Sequence, residues 1–511
     1  MKNLKLLIAI TTVFVLSGCV QRVSLDVEEN NIAEKEQMEI LLTASFSDVV
    51  TRAYPSSVDE MRKARINFEG LRIVFYQLDS DIKSSTVAYT YDCDINAHKG
   101  VLSGKDFIQS DNTDSKFRIK IPFKINRGQY HIYIIAGATE AIKSATSVGQ
   151  PFKLMQSAIV RDEKEFYTKG YLKNSIYINS NPLIISEKEP SISTLSDHTY
   201  ALDECVLAPI NAFASVNWSP VIHDNRFVIS NNSILVFADV LNKKFILLPK
   251  YDQQVKTELG IDFPIDPNYS NFGSKEMDLL EPDFLYHPFY NQDGSEKFTF
   301  YYSSKDDREN SYLIIPENTM DAKDYWGTVV TRLIVMAMIY PKDINLGDAD
   351  INSIRDRSKL PSWVYFKDKG FSEAEFDALY KKSNESETKT DEDIDIITAY
   401  RELKGSSDQY PKNGYQSKSI RYYKHGTSFF SIPIQHFTEE QLKEKSAIPG
   451  LYAVVRNTHY NIVIKFFQGV GAASMESLSK DLNYKDIMNA TTGDIQIVDA
   501  NVIDNIIDTL Y

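Results

Sequence analysis

The sequence predicts a mainly β protein: two antiparallel β-sandwich domains, with a small helical insertion in the second. Three observations predict it. Short apolar runs recur along the chain, each bounded by turn residues. Tyr and Phe are abundant, 30 and 27 in 511 residues, against 3 Trp, 3 Cys and 8 His; aromatic side chains suit pleated, half-buried surfaces. A hydrophobic fraction of 43% is enough to build cores, and the length suits more than one domain.

The first 18 residues stand outside this fold. Lys2 and Lys5 precede an apolar run from Leu6 to Leu16, too short to span a bilayer and suited to a signal peptide. Leu16-Ser17-Gly18-Cys19 then resembles the bacterial lipobox, in which the Cys is acylated and becomes the first residue. Cys19 is therefore the expected lipidation site of a surface or periplasmic lipoprotein. No later run is long enough to cross a membrane; the most apolar, Leu333 to Tyr340, suits a buried strand.

Residues 19–52 read as a tether and a first strand. From Asp26 to Glu36 the chain is polar and acidic. Met38, Ile40, Leu42, Ala44 and Phe46 then alternate with a mostly polar set, the period of a half-buried strand. Arg52-Ala53, in a polar segment leading to Pro55, is a protease target if exposed.

Residues 53–216 carry the first expected sandwich, with strands at Leu71–Tyr76, Phe117–Ile125 and Tyr130–Ala136. Residues 217–494 carry the second, with strands including Val329–Tyr340, Phe429–Ile434 and Tyr460–Phe467. The helical insertion is placed within 350–405. One helix opens at Ser372 and carries Phe376, Leu379 and Tyr380; a second turns through Ile397, Tyr400 and Leu403. Residues 495–511 form an apolar-rich tail.

Charge and motifs exclude several functions. The net charge is −14, with 56 Lys+Arg against 70 Asp+Glu, so nucleic acid is not an expected partner. There is no G-x-S-x-G, H-E-x-x-H, P-loop or G-x-G-x-x-G, and no enzyme or cofactor is expected. Asp348, Asp350 and Asn352 have calcium-loop spacing, but Ser353 and Lys359 stand where Gly and Glu are needed. His425, His436 and His459 share a region and read as locally hydrogen-bonded residues rather than zinc ligands. Cys93 and Cys205 either pair in an oxidising compartment or stay free.

Five stretches, in this order, carry a resemblance. The first is Cys19 with the alternating strand and Thr51-Arg52-Ala53, and the second is Gly128-Gln129-Tyr130 through Ala136. The third is Glu317-Asn318-Thr319, with Thr328 to Val335 after it. The fourth is Tyr422-Tyr423 with Phe430 to His436, and the fifth is Leu451 to Ile462, around Val454-Val455-Arg456-Asn457. Together they resemble the Bacteroidetes fimbrillins, the lipoprotein-derived type V pilins, in particular the minor-fimbrium subunits with a fimbrillin C-terminal region.

The resemblance implies sandwiches of transthyretin-like, Greek-key type. It also implies a structural subunit of adhesive surface fimbriae. Its partners would be further copies, accessory subunits and an arginine-specific protease. Cleavage would fall between Arg52 and Ala53. The strand of Met38, Ile40, Leu42, Ala44 and Phe46 would then leave its groove to a neighbour's strand. The implied donor is the tail, with Ile495, Ile497, Val498 and Val502; unlike many family tails it has no Trp. A tip subunit or an uncleaved anchor remains open within the family. Outside it stands a glycan-binding surface lipoprotein, with Trp218, Trp326 and Trp363 as stacking platforms. Arg456 and Asn457 read as architectural, since an Arg can bridge several acceptors.

Overall fold

The fold is that of a computed structural model. It describes residues 37–46, 66–78, 81–98, 100–109, 116–166, 174–186, 199–218, 221–230, 233–260, 262–269, 280, 282–286, 313–319, 328–344, 346, 360–437, 452–464, 466–467, 469–475, 477–478, 495–496 and 503–504. The Asp348–Asn352 loop lies outside them.

The chain is mainly β, as the sequence predicts. In the first half the strands are β1 (Gln37–Phe46), β2 (Leu71–Gln77), β3 (Thr86–Cys93), β4 (Lys116–Lys120), β5 (Tyr130–Ala136), β6 (Tyr177–Asn179) and β7 (Thr199–Pro209). They belong to one ten-stranded sheet, in the order β3-β2-β5-β6-β7-β1-β4, with Ile108–Gln109 beyond β4.

Strands β2 and β5 pair from Leu71↔Ala136 to Gln77↔Tyr130 and are buried on both faces. Leu71, Ile73 and Phe75 face one core with Ile132 and Ile134. Val74 and Tyr76 face a second with Tyr133, Ile135 and Phe152. Helix α1 (Glu140–Ala145), capped by Thr139, closes this second face with Ile142. Arg72 ties the helix end to the sheet, donating to Asp92 at 2.7 and 2.8 Å and to Thr146 Oγ1 at 2.9 Å. Phe245 and Leu247, from the second half of the chain, complete the same core.

After Pro209 a single residue, Ile210, separates β7 from β8 (Asn211–Trp218), which belongs to another sheet. The apolar stretch Val206 to Val216 is thus split over two strands in two sheets, and the change of sheet falls before residue 217. The later strands are β9 (Leu235–Asp239), β10 (Leu313–Pro316), β11 (Arg332–Pro341), β12 (Trp363–Phe366), β13 (Lys369–Ser372), β14 (Ile420–Tyr423), β15 (Thr427–Pro433), β16 (His459–Ile464), β17 (Ile495–Gln496) and β18 (Ile503–Asp504).

One sheet runs β10-β8-β16-β18; another is built on β11, with β9 and β15 on its two sides. Every residue of β11 is buried, which explains its unbroken apolar sequence. It begins with a buried charge: Arg332 donates to Asp239 Oδ2 at 2.8 and 3.0 Å, with side chains 1% and 0% exposed.

The helical insertion is a unit of its own. Strands β13-β12-β14 form a sheet with Tyr415–Gln416, against helices α2 (Glu373–Glu385) and α3 (Asp391–Lys404). Both helices start at capping boxes, Ser372 with Glu375 and Thr390 with Asp393. Phe376, Ile396, Tyr400 and Leu403 face Val364 and Tyr422. Trp363 is fully buried, stacked on Tyr423 at 4.3 Å and donating to the Ile339 carbonyl.

Purely antiparallel sheets, as expected from sequence, are not what forms. β1 runs parallel to β7, and β8 runs parallel to β16. A parallel pair needs a long crossover rather than a hairpin. More than 150 residues separate the partners in each case, and local alternation carries no sign of such pairings.

Breaking the β9–β11 ion pair from one side leaves a buried charge alone. Asp239→Ala is expected to lower unfolding free energy by ~3–5 kcal/mol. A double change, Asp239→Leu with Arg332→Met, should cost less; urea denaturation of the three proteins checks this order.

Candidate assembly site: the first strand and its groove

The alternation at positions 38–46 becomes an internal strand. β1 lies between β7 and β4, hydrogen-bonded to both. Against β7 its register runs from Glu39↔Thr199 to Phe46↔Leu207, with a shift between Leu41 and Thr43. Against β4 it runs from Leu41↔Lys120 to Ser45↔Lys116. The backbone of Met38 pairs with Ile125.

Ile40, Leu42 and Ala44 are 0% exposed and Phe46 is 5% exposed. They enter the core shared by Phe117 and Ile119 of β4 and Cys205 and Leu207 of β7. Phe46 meets three rings: Phe68 at 5.5 Å, Phe117 at 5.7 Å and Tyr177 at 5.2 Å. Ala44 sits level with Cys205 on one side and Phe117 on the other. On the opposite face Glu39 pairs with Lys120 at 3.2 Å. Burying the three large side chains contributes roughly 5–9 kcal/mol, an upper estimate. Departure of β1 would open a two-edged apolar slot, which another strand must fill.

Cys93 and Cys205 are both free and buried, so no disulfide joins them here. Burial pushes the Cys205 thiol up to about 12, and the Cys93 thiol higher still. Neither is a ready nucleophile.

In the tail, Ile495 belongs to β17, which pairs with Phe466–Phe467. β18 pairs with the first residues of β16, His459↔Asp504 and Tyr460↔Ile503. Cys19, Arg52, Ala53, Ile497, Val498 and Val502 lie outside the described residues.

The later sequence motifs converge on one buried polar knot. Arg456 donates to both oxygens of Glu317, at 2.6–3.0 Å, and to the carbonyls of Ile246 and Leu247. Asn318 exchanges backbone hydrogen bonds with Val454. Its side chain donates to Val329 O and Thr331 Oγ1 at 2.8 and 2.9 Å. Thr319 N donates to Asp266. Burial and the neighbouring Glu317 push the Asp266 carboxyl up to about 8. Asn457 takes a positive φ of 55° in the turn, and its N–H donates to Asn211 O beside the change of sheet. The architectural reading of Arg456 and Asn457 fits this geometry; the role of Glu317 as the paired acid is not legible from its position 139 residues earlier.

The three histidines go separate ways. His425 contacts the Leu360 carbonyl at 2.8 Å, and His459 contacts Ser215 Oγ at 2.7 Å. His436 Nδ1 lies 2.9 Å from Tyr460 Oη, which accepts from Val455 N and donates to Ala453 O. Trp218 is buried, as is Trp363, so neither is an exposed stacking platform; Trp326 lies outside the described residues.

Residues 421–503 match the family described as major fimbrial subunit protein type IV, fimbrillin, C-terminal. The match agrees with the resemblance read from the sequence, over the segment that holds the Arg456 turn. A comparison with curated proteins finds no match. Among solved structures, a fimbrilin of Porphyromonas gingivalis W83 is similar at 12% identity and a TM-score of 0.37, covering 85% of this chain and 91% of that one. The tip fimbrial protein Mfa3 of Porphyromonas gingivalis, C-terminally truncated, is similar at 10% identity and a TM-score of 0.34, covering 84% and 95%.

Two measurements check the site. Phe46→Ala is expected to cost ~3–5 kcal/mol by urea denaturation, since it empties a packed aromatic cluster. Burial lowers the His436 pKa from 6.5 to about 3. Stability resting on its neutral ring is present above pH 6.5 and is lost as pH falls from there toward 3. Urea midpoints of His436→Asn are therefore expected to fall less steeply than the parent's between pH 6.5 and 4.

Proposed function

We propose that this chain is a structural subunit of cell-surface fimbriae, not an enzyme. It is exported as a lipoprotein through Cys19, cut between Arg52 and Ala53, and assembled by strand exchange at the groove of β1. The observation that carries this reading is the place of β1. It is an internal strand by pairing and the first of the described strands in chain order, and a basic residue follows six positions after its last buried side chain.

An internal strand normally has chain on both sides that belongs to the fold. Here the residues before β1 read from the sequence as a polar tether and a lipid attachment motif. Cutting after Arg52 would leave β1 held only by non-covalent contacts. A donor strand of similar alternation would regain both ladders and the core contacts, the recognition mode of strand addition. The fimbrillin match over residues 421–503 supports the fimbrial setting and the cell surface as its location. The family reading also supports adhesion as the purpose of the fibre, and the tail from Ile495 as the segment offered to a neighbour.

The N-terminus of protein sheared from the cell surface is expected to be Ala53, and Arg52→Ala is expected to leave full-length chains held at the outer membrane. Finding only uncut, lipidated protein in sheared fibres would remove the maturation step. Cys205 provides a second readout, because it faces Ala44 of β1. Its maleimide labelling should be slow in the uncut chain and rise at least about tenfold once β1 leaves, while Cys93 stays protected.

A further inference from the structure

The groove and the tail of this chain do not fit each other. β1 fills four successive sites with Ile40, Leu42, Ala44 and Phe46, all at or below 5% exposed. The sites therefore ask for a large apolar residue, a second, a small one and an aromatic one. The third holds a small residue, Ala44, level with Phe117 on one side and Cys205 on the other, all of them buried. The Phe117 ring also packs on Phe46 and Phe107, so a longer side chain at this level would crowd a packed aromatic cluster. The fourth is an aromatic socket of Phe68, Phe117 and Tyr177.

Residues 494–511 read Asp-Ile-Gln-Ile-Val-Asp-Ala-Asn-Val-Ile-Asp-Asn-Ile-Ile-Asp-Thr-Leu-Tyr. Every set of four alternate residues in that stretch contains an Asp, Asn or Gln, whichever way the strand runs. The nearest fit puts Ala500 in the small site and Val498 in the second. It leaves Gln496 where Ile40 is fully buried, and Val502 in a socket made for a ring. The next, ending at Tyr511, puts Asn505 in the first site and Thr509 in the small one. Each polar side chain would enter a core whose neighbours are apolar and leave its hydrogen-bonding groups without partners.

We infer that the groove of β1 takes its strand from a different subunit, not from a second copy of this chain. The partner is a protein with an exposed extended segment of large-x-large-x-small-x-aromatic pattern. The inference rests on the strand-exchange reading above and deepens it: this chain joins a mixed assembly at this groove and does not polymerise with itself there.

The test uses the full chain cut after Arg52 and three fluorescent peptides, read by anisotropy. The first is residues 37–46, the second is residues 494–511, and the third is the second carrying Asn505→Ile, Ile507→Leu, Thr509→Ala and Tyr511→Phe. The first and third are expected to bind, and the unmodified tail to bind at least about thirtyfold more weakly than the first. Tail binding within threefold of the first peptide would overturn the inference and leave strand exchange standing. So would a third peptide as weak as the unmodified tail. Failure of the residue 37–46 peptide to bind at all would instead remove strand exchange itself.

Discussion

The first half of the molecule depends on an apolar slot between β4 and β7 being filled. Four side chains of β1 supply the filling, and two ladders of backbone hydrogen bonds hold it. Without a strand there, Phe117, Ile119, Cys205 and Leu207 would face water along two open edges. The hydrogen-bonded path of the sheet would then be broken between β4 and β7. A filled slot is thus a condition of the fold, whichever chain supplies the strand.

The second half depends on a different kind of contact. Glu317, Asn318, Thr331, Val454, Arg456 and Asp266 form a buried polar knot where the chain changes sheets. Buried charges and amides destabilise a core unless every group finds a partner. Here the guanidinium of Arg456 satisfies one carboxylate and two carbonyls at once. The motifs that made the sequence recognisable therefore mark a structural joint.

Much of this was legible in the residues themselves. The period of 2 at positions 38–46 predicted a half-buried strand, and all four described inward residues are buried. The start at Ser372 announced the first helix of the insertion; the second was read only from Ile397, Tyr400 and Leu403, and its cap at Thr390 lay inside what reads as a polar run. The unbroken apolar run after Arg332 announced a strand buried on both faces. What was not legible depends on distance along the chain. Nothing near Met38 tells that the strand lies parallel to residues 199–209, and nothing near Val206 tells that Ile210 separates two sheets. Alternation specifies which face a residue turns to; it does not specify the neighbour. Of the candidate Trp platforms, Trp218 and Trp363 are core residues, because a strand's sequence does not tell which of its faces is wet.

The junction at Ile210 has a mechanical meaning. β7 carries β1 along one edge, and β8, one residue further on, carries β16, which in turn carries Ile503–Asp504. A pull entering through β1 would load the long β1–β7 ladder along its length, so that several hydrogen bonds share it at once, whereas Ile503–Asp504 meets β16 at only two residue pairs. Between the two sheets the load would pass through a covalent backbone and not through side-chain packing. The weakest link under tension is then a row of strand pairs in shear, and the packing between the halves of the molecule is spared.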